Sequence, residues 1–229
     1  MNTLQNKRAI ADYTIRIQQK YDVDVRLLEW YVIKRGQCIC KQGFPLQYLA
    51  FLVKGKVKIH MTSEEGKQLI VAFNTPLELF GDVELVQQID TLHTIEAVTD
   101  VHIAALPFAT AHQLRKQASF NDMLLQSISR KFVTKSMTLS FHLMHTADVK
   151  LASYFAAISH DEHGNFNQPL IPKSELKMIA EFIGITVRHQ NRCLEQFEAE
   201  GIIRRIRGFV EIIDEQKLRL YAKHMYDMQ

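Results

Sequence analysis

The spacing of apolar residues changes three times along this chain, and those changes constrain the fold more than any other feature. Between residues 10 and 30, Tyr13, Ile17, Tyr21 and Leu28 recur at three to four residues or multiples of that step, the mark of a helical entry segment. From Tyr31 to about Leu106 the period falls to two, the repeat of a pleated strand. After Pro107 the helical period returns and lasts to about His145, and beyond Ala147 short helices and hairpins alternate. The expected class is α+β: an amino-terminal β-barrel or jelly roll over residues 1–118, a long helix over 119–146, and a winged helix-turn-helix over 147–229.

In the period-two region, Val53, Gly55, Val57, Ile59 and Met61 share one face, and Lys54, Lys56, Lys58 and His60 share the other. That alternation predicts one strand with a dry side. Gly66 closes a hairpin turn after Ser63-Glu64-Glu65, and residues 69–73 form the returning strand. Further short strands are expected at 37–41, 94–98 and 101–106. Short strands punctuated by Gly and Pro predict a closed or two-sheet β-domain.

Along the long helix, Leu125, Ile128, Phe132, Leu139 and His142 fall close to a heptad seam, with Arg130, Lys131 and Lys135 off it. A helix of roughly 25 residues is about 37 Å long, too long for a small barrel alone to cover. A second copy of the same helix would cover it, so those five residues are the expected seam of a homodimer.

The carboxy-terminal third begins with a helix at 148–159, a polar turn at 160–165 and a strand at 166–171 stopped by Pro172. Ser174 is the expected cap of a helix at 175–182, and Gly184 the turn residue after it. Ala180 is small enough for a close crossing, and Thr186 can cap a second helix running to Ala199 and stopped by Gly201. That helix carries Arg188, His189, Asn191 and Arg192 near its start with no acid from Arg188 to Leu194, while Leu194 and Phe197 are expected to face inward. A hairpin over 202–213 follows and adds Arg204, Arg205 and Arg207 with no acid among them. Two arginine clusters beside a helix-turn-helix can reach base edges and phosphates, so duplex DNA is the expected partner.

Total charge is a poor guide to that partner: 28 Lys and Arg against 25 Asp and Glu leave +3. The longest apolar run, residues 48–53, is far short of the roughly 20 residues that a membrane-spanning helix needs. The amino terminus shows no secretory pattern, so the cytosol is the expected compartment. Cys38, Cys40 and Cys193 are no disulfide framework, and buried core thiols are their expected role. His142 with His145, and His160 with His163, lack the further ligands of a closed metal site, so no metal is expected.

The series Lys41-Gln42-Gly43, Val53-Lys54-Gly55-Lys56-Val57, Glu65-Gly66-Lys67 and Phe80-Gly81-Asp82-Val83-Glu84-Leu85, followed by the helix-turn-helix and wing, resembles the Crp/Fnr family of bacterial transcription regulators. The resemblance spans nearly everything from Tyr31 to Asp214. It implies a cyclic-nucleotide-binding-like barrel, a homodimer on a roughly palindromic site, and contact with RNA polymerase.

It also points to Gly81, Asp82, Glu84, Thr91, Leu92, Lys135 and Ser136 as the effector pocket. Cyclic-nucleotide binders of the family carry Gly-Glu in the cassette and an Arg-Ser pair about eleven residues later, the Arg pairing with phosphate. Here the cassette reads Gly81-Asp82, and Thr91-Leu92 stands at the Arg-Ser positions, so cyclic AMP is not expected as effector. The iron–sulfur branch uses an amino-terminal cysteine cluster, absent before Cys38, so no such cluster is expected either. In the recognition helix the usual Ser-Arg-Glu-Thr-Val-Ser-Arg becomes Thr186-Val187-Arg188-His189-Gln190-Asn191-Arg192, and an operator other than the standard TGTGA half-site follows.

Two rivals remain. One is a DNA-binding regulator that needs no small-molecule effector, its barrel a protein-contact platform. The other is a small-molecule enzyme with a helical appendage, against which stands the lack of GxGxxG, P-loop, HExxH and GxSxG motifs.

Overall fold

Gly55 divides what reads in sequence as one strand. Its φ of +90° is accessible chiefly to glycine, and a Cβ there would lie 2.5 Å from the Asp100 carbonyl. In the computed structural model, which describes residues 2–66, 68–159, 166 and 170–222, the chain passes at this point from one sheet to another. Two compact units are present, Met1–Phe132 and Val133–Gln229.

The first unit runs β1 (Asn2–Thr3), α1 (Lys7–Lys20), β2 (Glu29–Ile33), β3 (Cys38–Cys40), β4 (Tyr48–Lys54), β5 (Val57–Thr62), β6 (Gln68–Asn74), β7 (Glu78–Phe80), α2 (Asp82–Gln87), β8 (Thr94–Ala97), β9 (Val101–Pro107) and α3 (Phe108–Leu114). It ends within α4 (Ala118–Met144), the long helix. Strands β1-β2-β9-β4-β7 form one antiparallel sheet and β3-β8-β5-β6 the other. The central strand β4 is dry on both faces: Leu49, Phe51 and Val53 pack with Ile17 of α1, Tyr21 just after it, and Phe120 and Leu124 of α4, while Ala50 and Leu52 join Ile39, Val57 and Ile95 between the sheets. That double burial is why its sequence is an unbroken apolar run.

Several expectations need correcting here. The entry helix ends at Lys20, and Trp30 belongs to β2. Along β5 the faces keep their alternation, with Lys58 and His60 both reaching Glu96, but exposure does not follow it: His60 is 6% exposed and Met61 38%. A register shift beside His60 skips Val71 of β6 in the pairing with β5. The helical stretch after Pro107 is two helices, because α3 closes at Leu114 before α4 starts.

The second unit adds α5 (Ala147–Ile158), β10 (Leu170–Pro172), α6 (Leu176–Ile183), α7 (Val187–Ala199), β11 (Ile203–Ile206), β12 (Phe209–Ile212) and α8 (Glu215–Tyr221). Its sheet has the order β10-β12-β11. Leu151, Phe155, Ile179, Ile183, Leu194, Phe197, Ile203 and Val210 make its core. Pro172 lies inside β10 rather than ending a strand before it, and Glu175, not Ser174, occupies the cap position of α6 because Lys173–Glu175 form a short 3-10 turn. The expected polar turn at 160–165 lies outside the described residues, as does the His160 and His163 pair.

Candidate nucleic-acid interface

The turn between α6 and α7 follows from two residues. Gly184 takes φ +67°, and its N–H and that of Ile185 both donate to the Ala180 carbonyl, closing α6. Thr186 Oγ1 then accepts from the His189 N–H at 3.2 Å and starts α7. With the helix phase set there, Gln190, Cys193, Leu194 and Phe197 turn into the core. Thr186, Val187, Arg188, His189, Asn191 and Arg192 turn outward. Five of these, with Glu195, line one surface concavity, from which Thr186 is set back as the cap. Neither Arg188 nor Arg192 is in an ion pair among the described residues.

Gln190 is a feature that the sequence flagged without explaining. It is fully buried, and its Nε2 donates to the Leu176 carbonyl at 2.8 Å, tying α7 to the first residue of α6.

The wing is less free than its sequence implies. Strands β11 and β12 turn across Arg207 and Gly208, the latter at φ +82°. Arg204 faces Glu211 across the hairpin, 2.7 Å away. Arg205 reaches Glu198 on α7 at 2.6 Å, and its N–H donates to the same carboxylate at 2.9 Å. These bonds, the main-chain one foremost, hold the Glu198 carboxyl below its usual range. The arginine run is therefore acid-free along the chain but not in space. Arg207, at the exposed turn, has no ion pair among the described residues.

The residues expected around an effector are not brought together as a ligand-facing set. Asp82 is buried and bound by Lys131 and Ser127 of α4. Thr91 is buried with its hydroxyl donated to the Lys41 carbonyl, and Glu84 Oε1 lies 3.5 Å from the Leu92 N–H. Leu92, Lys135 and Ser136 are exposed. Gly81 alone keeps a role that only glycine fills, at φ +89° with the Tyr48 carbonyl 2.8 Å from where a Cβ would stand.

On α4, Leu125, Phe132 and Leu139 are exposed, Phe132 by 72%, and Ile128 is partly so. His142 is half-buried rather than exposed, with the Ile183 main chain near its ring. At about 100° per residue, His142 is swung about 60° to the side of Leu139, whereas Leu143 returns to the line of Leu125. Leu143 is 77% exposed and continues the stripe that His142 leaves.

All three cysteines are free thiols, but only Cys193 is buried: Cys38 and Cys40 are half-buried on either side of the buried Ile39. Burial pushes Cys40 up to about 12 and raises Cys38 and Cys193 as well, so none has the thiolate character of a reactive site. Among the described residues no group of three or more His, Cys, Asp or Glu could hold a metal, and no helix is long and apolar enough to cross a membrane.

Two family models match the sequence, a cyclic nucleotide-binding domain over residues 31–118 and a Crp-like helix-turn-helix domain over 149–221. Electron transport regulator A of Shewanella oneidensis is 20% identical over 203 residues, 83% of this chain and 77% of that protein. Transcriptional activator protein anr of Pseudomonas aeruginosa is 22% identical over 192 residues, 81% of this chain and 77% of that protein. Among solved structures, a transcriptional regulator of the Crp/Fnr family from Eubacterium rectale superposes with a TM-score of 0.75 at 18% identity, covering 92% of this chain and 98% of that one.

Proposed function

This chain belongs to the Crp/Fnr family of transcription regulators, with a helix-turn-helix DNA-binding domain, and from that premise we propose that it acts as a homodimer on a two-fold operator. The observation that carries the reading is the split character of α7, with Arg188, His189, Asn191 and Arg192 outward and uncommitted while Gln190, Leu194 and Phe197 anchor the other face. Arg188, His189, Asn191 and Arg192 read base edges, with Thr186 and Val187 at the helix start against the backbone. Arg207 is the principal phosphate anchor of the wing, and Arg204 and Arg205 also orient the hairpin.

Dimerisation runs through Leu125, Ile128, Phe132, Leu139 and Leu143 of α4. The working boundaries are 1–118 for the barrel, 119–146 for the dimer helix and 147–229 for the DNA-binding domain. The protein works in the cytoplasm with RNA polymerase as a partner. It does not use cyclic AMP, since Thr91 and Leu92 offer no cation to a phosphate, nor an iron–sulfur cluster, for which the cysteines Cys38, Cys40 and Cys193 do not make the family's ligand set.

A footprint of the purified protein on its own upstream region tests this. Two protected half-sites about 34 Å apart are expected, and equal affinity for operator and random duplexes would overturn it. A second reading, a regulator that needs no added effector, is favoured by the engagement of Asp82 with Lys131. Operator binding in the absence of any additive is its expected result.

A further inference from the structure

Asp82 is a carboxylate 2% exposed at the start of α2. A buried charge of this kind is strongly unfavourable unless a counter-charge is buried with it. Its counter-charge comes from α4, where Lys131 Nζ lies 2.8 Å from both carboxylate oxygens. The same ammonium donates to the Leu79 carbonyl and sits 5.9 Å from the centre of the Phe80 ring. Ser127, one turn earlier on α4, donates its hydroxyl to Asp82 Oδ2 at 2.8 Å. A carboxylate, a main-chain carbonyl and an aromatic ring around one nitrogen are the groups that recognise an alkylammonium ion. Beside the cradle the backbone at Gly81 packs closely on the Tyr48 carbonyl, which would lie 2.8 Å from a Cβ there.

We propose that Asp82, the Leu79 carbonyl and the Phe80 ring form an ammonium-binding site whose resident ligand is the chain's own Lys131. The barrel then binds a cation at the Gly-Asp cassette and keeps it tethered through the lysine stem. The ligand class that fits the site in trans is a primary alkylammonium. Lys131 keeps 28% of its side chain exposed, so shortening it opens a path from solvent to Asp82. The assignment rests on side-chain geometry and not on DNA binding, so its test is read without DNA.

Lys131→Ala removes a propylammonium-sized fragment and strands the carboxylate. Thermal melting is expected to fall by about 6 to 20 °C, and tens of millimolar n-propylammonium should restore at least half of that loss. Tetramethylammonium and sodium at equal ionic strength should not, and Asp82→Asn/Lys131→Ala should show no propylammonium response. A response no larger than that to sodium, or one that persists in the double variant, would overturn the site. Should Lys131→Ala not fold, Lys131→Met keeps the stem and leaves the charge unpaired. Asp82→Asn added to it is expected to regain most of the lost stability, and a double variant no more stable than Lys131→Met refutes the pairing.

Discussion

The helix-turn-helix unit leaves its important cations in solvent, whereas the barrel unit closes its important charges on one another. Arg188 and Arg192 protrude from a helix whose other face is core, and Arg207 stands at a turn. Asp82 and Lys131 meet at 2.8 Å inside the barrel unit, with Ser127 completing the acid's shell. An open cation can neutralise a phosphate that arrives from outside. A closed pair can only be displaced. The contrast separates charges that are open to an incoming polyanion from charges already paired within the fold.

The contrast is broken most severely by disabling the helix that enters both units. Phe132→Asp with Leu139→Asp places charge on the exposed stripe of α4, and light scattering is expected to show a monomer with operator affinity reduced at least a hundredfold, since both half-sites are no longer held together. Unchanged mass would remove the dimer reading. Next in size is Arg188→Ala, expected to lose about 1 to 3 kcal/mol of discrimination at one base pair while leaving binding to random DNA nearly intact. Equal losses on both duplexes would show that Arg188 only meets phosphate.

The wing gives a smaller and more selective effect. Arg207→Ala should flatten the dependence of log affinity on log salt by about one unit without changing sequence preference. Arg205→Ala, whose partner is Glu198 on α7, should instead lower the melting temperature more than it alters the salt slope. If the two variants behave alike, the distinction between free and committed arginines in the wing fails.

The smallest effect concerns acid. Burial, with Lys150 nearby, holds His142 below the usual imidazole range, and burial does the same to His60 and His102 in the barrel unit. A lowered imidazole in the folded chain means that the unfolded chain takes up the proton first as pH falls. Stability from these groups is therefore complete above the ordinary histidine value of about 6.5 and is lost below it. His142→Leu, which removes a ring nitrogen without a partner, should weaken that acid sensitivity in melts run from pH 7.5 to 5.5. An unchanged pH profile would show that His142 titrates normally.

Much of the fold was legible because it is local. The α6–α7 turn is written in Ala180, Gly184 and Thr186, three residues within one short stretch: Gly184 closes α6 on the Ala180 carbonyl and the Thr186 hydroxyl caps α7. The β5–β6 hairpin follows from the glycine turn at Gly66, whereas β4 is not read from its apolar run. Legibility failed where a neighbour from another element decides. His60 lies on the polar face that the sequence predicts yet is buried there beside Lys58 and Glu96, and His142 is half-buried with the Ile183 main chain near it. Ser174 looked like a cap, yet a 3-10 turn moves the start of α6 beyond it.

By itself the sequence determined the alternation of strand and helix, the turn glycines and the two faces of α7, because periodicity and backbone preference act over a few residues. Only the tertiary structure decided which charges are available. Asp82 and Lys131 are 49 positions apart, and nothing in their local surroundings pairs them. Arg204 and Arg205 read as free cations until the hairpin and α7 bring Glu211 and Glu198 to them. Ionic pairing acts over a few ångströms in space and is blind to distance along the chain, so it is settled only when the core has chosen which surfaces meet.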